Sequence, residues 1–183
     1  MATDELIHRD DNIYGDVIGR QSQSALYLFK IKDKLSSTHN GYTDHAPVLK
    51  WNFAMEYFQQ GSISSQTHVR RPTTATPLEV YLHHGHYIPS LLTMVAKQEI
   101  ITGDDTSLKL LMSAGDVDQV VMTLTLTDTA LQTVDLSTDL YPYFRVVMRY
   151  SQVKVEYNQY NQNDFTKAGT NAFTYDFKTN VLT

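Results

Sequence analysis

The chain has 183 residues, with 15 lysines and arginines against 20 aspartates and glutamates, a formal net charge of −5. Hydrophobic residues make up 42% and charged residues 19%, which is too apolar for a disordered chain. No apolar run approaches the ~20 residues of a membrane-spanning helix, so no membrane insertion is expected. The absence of cysteine excludes a disulfide scaffold, a thiol nucleophile and any cysteine-ligated metal. A mildly acidic chain without a basic run is a poor partner for a phosphate backbone, so nucleic acid is not expected either.

Residues 1–23 are polar, acidic and turn-rich, and read as an extension that is ordered only by docking. The opening MATDELIHRDDNIYGDV lacks the basic and apolar regions of a secretory signal, so any export is expected to follow another route. The domain is expected to occupy residues 24–183. Ala25 to Ile31 is a short apolar and aromatic run and predicts a first strand. A polar loop follows, with a turn signal at Asn40-Gly41.

From Val48 to Phe58, Leu49, Trp51, Phe53 and Met55 alternate with Lys50, Asn52, Ala54 and Glu56. This period of two predicts a strand with one face in a core and the other wet. Residues 59–76 are rich in Gln, Gly, Ser and Thr and contain the adjacent pair Arg70-Arg71. A loop of that length in a compact domain needs a reason, such as contact with another chain. The arginine pair suits an acidic partner surface, or is simply two solvated charges.

Leu78 to Leu82 restarts strand character. Residues 89–99, with Pro89 at the first position, predict the one helix, ending at Gly103-Asp104-Asp105. Ile88 is a poor cap for it. Strands are then expected at 108–112, at 120–126, as one long alternating segment at 144–157, and at 172–178. The chain therefore reads as a mostly β domain with one helix, most simply a small barrel or sandwich.

The densest titratable cluster is His83-His84-Gly85-His86. Alternate strand residues share a face, so His84 and His86 could reach one metal ion; the competing reading is a polar strand-to-helix junction. Asp104-Asp105 and Asp116 with Asp118 fall in turns, where aspartate is favoured for backbone reasons. Gly61-Ser62 lacks the second glycine of a nucleophile elbow, and no phosphate-binding glycine loop occurs. Trp51 is expected in the core. No catalytic residues and no cofactor are expected.

Four stretches carry a family likeness: Val48-Leu49-Lys50-Trp51-Asn52-Phe53, Thr123-Leu124-Thr125-Leu126-Thr127-Asp128, Val153-Lys154-Val155-Glu156-Tyr157 and Tyr175-Asp176-Phe177-Lys178-Thr179-Asn180. In this order, over residues 24–183, the chain resembles the haemolysin-coregulated protein (Hcp) family, the inner tube of the type VI secretion system. Residues 1–23 have no counterpart in the minimal family pattern. The resemblance implies a small β-barrel of two packed antiparallel sheets with one helix, assembling into six-membered rings that stack into a hollow tube.

It also implies that Lys50, Asn52 and Ala54 line the lumen, while Leu49, Trp51, Phe53 and Met55 fill the barrel. The loop with Gln59, Gln60, Gly61, Ser62, Arg70 and Arg71 would reach the next ring. Implied partners are copies of the chain, a spike protein at the tip, a contractile sheath and secreted effectors. The tube would assemble in the bacterial cytoplasm and be expelled by sheath contraction. A tail-tube protein of a contractile phage or extracellular injection particle shares this architecture. A monomeric barrel using His83, His84 and His86 is the reading from a different class.

Overall fold

The computed structural model describes residues 25–37, 41–56, 74–114, 117–136, 143–161, 166–179 and 181–182. The strands are β1 (Ala25–Ile31), β2 (Ala46–Asn52), β3 (Met55–Glu56), β4 (Thr74–Ala75) and β5 (Leu78–His83). The helix α1 (Ile88–Lys97) follows, then β6 (Ile100–Ile101), β7 (Thr106–Ala114), β8 (Val117–Thr127) and β9 (Thr129–Leu136). The chain finishes with β10 (Tyr143–Arg149), β11 (Gln152–Tyr160), β12 (Lys167–Asp176) and β13 (Val181–Leu182).

Eleven strands form one sheet in the order β13-β12-β11-β8-β7-β1-β2-β5-β10-β9-β6, and β3 pairs with β4 separately. Neighbours throughout are antiparallel. The join between the two halves is narrow. β1 meets β7 over seven residue pairs but meets β2 over two, Leu28 with Pro47 and Phe29 with Ala46. There the sheet turns on itself, and the two inner faces meet in a single core.

Phe29, Ile31, Leu108, Leu124, Leu126, Val153 and Tyr175 come from one half. Leu78, Val80, Leu82, Phe144, Val146 and Met148 come from the other. Alternation along each strand puts these residues on one face, and each contributes about 1.5–3 kcal/mol by leaving water. The expected barrel of two packed antiparallel layers is therefore the observed one.

The helix runs from Ile88 rather than Pro89 and ends at Lys97, where Gln98 adopts a left-handed conformation (φ 52°). Its backbone N–H and that of Glu99 turn back onto the carbonyls of Val95 and Met94. The expected end at Gly103 is too late, because β6 intervenes and pairs with Thr129 and Ala130 of β9. Leu91 and Met94 bury one face of the helix against β9.

The expected single segment 144–157 is two strands. β10 belongs to one half and β11 to the other, and the chain crosses between them at Tyr150-Ser151. Ser151 anchors that crossing: its N–H and Oγ donate to the Thr127 carbonyl, and its own carbonyl accepts from the Phe177 N–H. Among the described residues no helix is long and apolar enough to cross a membrane.

Candidate functional site

The expected wet strand lies on the outward face of β2, β5, β10 and β9. Lys50 and Asn52 are exposed there. Cross-strand pairing builds a row Lys50–Tyr81–Arg145–Asp135. The Lys50 ammonium lies 5.6 Å from the Tyr81 ring centroid, and Tyr81 packs on Tyr143 at 6.0 Å. Arg145 stands 3.4 Å from Asp135 and 3.8 Å from Glu79. Exposed pairs of this kind each contribute about 0–1 kcal/mol. They fix side-chain positions on a face that is charged, aromatic and nearly balanced.

Two expectations for this strand need correction. Leu49 does not fill the barrel in step with Trp51. The register slips between Val48 and Lys50, with Val48 opposite Leu82 and Trp51 opposite Val80. Leu49 is the extra residue of that bulge, so Val48 takes the inward position and packs on the core. Ala54 is not on the wet face of the strand. β2 ends at Asn52, and Ala54 is half-buried with its N–H donated to Thr76 Oγ1 and its carbonyl accepting from the Thr76 N–H. Trp51, Phe53 and Met55 do pack against the core as expected, each partly buried, with Trp51 stacked on Tyr27 at 5.8 Å.

The β3–β4 pair, Met55 with Ala75 and Glu56 with Thr74, brings together the two ends of the long loop. Gln59, Gln60, Gly61, Ser62, Arg70 and Arg71 lie outside the described residues.

The histidine cluster is a turn. β5 stops at His83, so His84 and His86 do not share a strand face. His84 Nε2 donates to the Tyr143 carbonyl at 2.9 Å, while His86 Nε2 bonds Ser36 Oγ at 2.9 Å. Among the described residues no three His, Asp or Glu side chains come together in a metal-holding group. The turn is organised by Tyr87, which is 7% exposed. Its ring lies under Gly85, and its hydroxyl donates to the His83 carbonyl at 2.7 Å. This is the strand-to-helix junction of the competing reading.

A junction that the sequence did not announce sits at one end of the barrel. Asp128, at φ 49°, links β8 to β9. Its Oδ2 accepts from Lys178 Nζ at 2.9 Å and from Ser151 Oγ at 3.2 Å, and its Oδ1 accepts from the Gly103 N–H at 3.3 Å. The Lys178 ammonium and then the Gly103 amide hold the Asp128 carboxyl below its usual range. Asp176 accepts from the backbone N–H groups of Lys178 and Thr179, which lower its pKa in turn. Two of the four family-like stretches, Thr123 to Asp128 and Tyr175 to Asn180, thus meet through Asp128 and Lys178. Each stretch ends in a turn with an aspartate; that ending was the only sequence signal.

Asp104 and Asp105 lie in the connection between β6 and β7, whereas Asp118, expected in a turn, is a strand residue of β8 opposite Ser113. Asp104 accepts from Thr127 Oγ1, and the Asp105 carbonyl accepts from the Lys32 N–H. Asp118 is exposed, and Asp116 lies outside the described residues.

No protein-family model matches the sequence, and no curated relative does either. Solved structures do match. A type VI secretion system protein superposes with a TM-score of 0.74 at 16% identity, covering 86% of this chain and 99% of its own. Hcp1 from Salmonella typhimurium gives 0.65 at 21% identity, covering 87% and 99%. Hcp2 from the same organism gives 0.60 at 20%, covering 85% and 98%. The fold that the four stretches implied is the fold observed: this chain is built as the Hcp proteins are.

Proposed function

We propose that this chain is the structural subunit of a type VI secretion inner tube, a ring-former whose rings stack into a hollow conduit. The observation that carries this reading is that the likeness to Hcp structures spans nearly their whole length, 99% for Hcp1 of Salmonella typhimurium. The role is mechanical: copies bind one another, a spike caps the tip, a contractile sheath drives the tube out, and effectors travel inside. Assembly takes place in the bacterial cytoplasm and delivery outside it.

The physical case for self-assembly rests on sheet edges. β13 pairs with Tyr175 and Asp176 alone, so Lys167–Thr174 of β12 has no outer strand among the described residues. β6 covers only Thr129 and Ala130 of β9. Open edges invite pairing with another chain, and a head-to-tail contact that closes by rotation gives a ring. In this reading Lys50 and Asn52, with Tyr81 and Arg145, face the lumen. The loop with Gln59, Gln60, Gly61, Ser62, Arg70 and Arg71 reaches the next ring.

Export tests the reading. In the native bacterium the full chain should accumulate in the medium only when the sheath is intact. Release that is unchanged by loss of the sheath would contradict a tube expelled by contraction.

A further inference from the structure

His45 immediately precedes β2 and is 3% exposed. Its Nδ1 lies 2.6 Å from Asp44 Oδ1. A carboxylate can only accept, so Nδ1 carries the proton and Nε2 is the bare nitrogen. That Nε2 is buried and has no hydrogen-bond partner among the described residues. The next residue, Ala46, pairs with Phe29, and this pair with its Leu28–Pro47 neighbour makes up the strand pairing between β1 and β2. A buried titratable group therefore adjoins the narrow join between the two halves of the sheet. We propose that protonation of His45 loosens the β1–β2 seam, making this join an acid-sensitive hinge between the two halves of the barrel.

The surroundings favour the neutral ring. Lys30 on β1 and Lys109 on β7 face it, the Tyr42 ring lies edge-on at 5.3 Å, and Asp44 is the one negative neighbour. Asp44 is shared, since Lys30 Nζ lies 2.6 Å from its other oxygen. Lys109 sits over the Tyr42 ring at 5.3 Å. Farther out, Asp33 and Asp105 act on Lys30, and Asp118 and Tyr160 act on Tyr42. Burial pushes the imidazole below its usual 6.5, Lys109 and Lys30 add to this, and Asp44 opposes it. A proton on Nε2 would put an N–H without an acceptor, and a positive charge, into a dry site beside two lysines.

The sign follows. The opened state takes up the proton near the ordinary histidine value, whereas the closed state resists it to lower pH. The closed seam is thus fully stable above that value and weakens as the pH falls below it. The proposal does not depend on the tube reading, because it concerns the fold of one copy.

Trp51 is the single tryptophan, and its ring packs across the seam on Tyr27 of β1, so its fluorescence reports the join. On the full chain, acidification from pH 7.5 to 5 should shift its emission to the red reversibly below about pH 6. His45→Asn, which keeps a donor for Asp44 and does not titrate, should hold the neutral-pH emission throughout. Asp44→Asn, which removes the negative neighbour and so weakens the closed state's hold on the proton further, should move the midpoint to higher pH. A His45→Asn response matching that of the unaltered chain, or no response in the unaltered chain, overturns the proposal. If His45→Asn fails to fold, amide exchange on the unaltered chain decides. Protection at Phe29 and Ala46 should fall at least about tenfold between pH 7 and 5 while Val155 and Phe173 keep theirs, and uniform behaviour of the four overturns it.

Discussion

Replacing Gly85 by alanine puts the reading of the histidine turn to a quantitative test. A Cβ at this position would lie 2.5 Å from Cε1 and 2.7 Å from Cζ of Tyr87. An exposed ring would swing away at little cost, but this one is 7% exposed, stacks on Phe144 at 5.9 Å and holds the His83 carbonyl through its hydroxyl. Displacing it repacks the core at about 1–3 kcal/mol and breaks a hydrogen bond worth about 1 kcal/mol. The expected loss is therefore about 2–4 kcal/mol, read as a shift in the urea midpoint at unchanged slope. The clash needs both partners, so Tyr87→Ala made in the Gly85→Ala background should cost about 2 kcal/mol less than in the original chain. Additivity of the two substitutions, or a neutral Gly85→Ala, would refute the account of this turn.

Further expectations follow from the core and from the charged junctions. Phe144→Ala should cost about 3–5 kcal/mol in the same denaturation assay, because Phe144 is 0% exposed and lies in the shared core. Asp44 is held to about 2 by Lys30 and then by His45, against 3.8 unfolded. The stability it contributes is present above 3.8 and is lost as the pH falls towards 2. Urea midpoints taken between pH 5 and 2 should therefore decline less steeply for Asp44→Asn. Asp128 combines a left-handed backbone with three side-chain bonds. Asp128→Gly keeps the turn and loses the bonds, whereas Asp128→Ala loses both, so the alanine variant should melt at the lower temperature.

Strand content was legible wherever an apolar run or a clean alternation marked it. Ala25 to Ile31 announces itself as a short apolar and aromatic run, Leu78 to Leu82 and Val120 to Leu126 by apolar residues at a period of two, and each is a strand in the structure. Strands without that signal escaped notice. β9 reads Thr-Ala-Leu-Gln-Thr-Val-Asp-Leu, with little to mark it, and β3, β4, β6 and β13 are two residues each and exist by pairing with a neighbour. Pattern alone cannot reveal a change of sheet inside an apolar run, which is why 144–157 reads as continuous across Ser151. Nor does it reveal a bulge. Leu49 and Val48 are equally apolar, and only the register against β5 decides which one faces inward.

Of the candidate site, Lys50 and Asn52 were readable as a wet face because their neighbours in sequence are large and apolar. Ala54 misled for a local reason: the strand ends before it, and Thr76, distant in sequence, takes its backbone groups. Asp128 and Lys178 lie fifty positions apart, and nothing in their spacing says that they touch. The His83–His86 cluster drew attention as chemistry, yet it was Gly85 and Tyr87, the less conspicuous residues, that explained its shape.

The central claim is that this chain closes into rings. The measurement that meets it most directly is the native mass of the purified full chain, by light scattering after size exclusion, with negative-stain images of the same fractions. The account predicts a mass near six times the 20.9 kDa protomer and annular particles with an open centre. A species that stays at one protomer mass across protein and salt concentrations would contradict it.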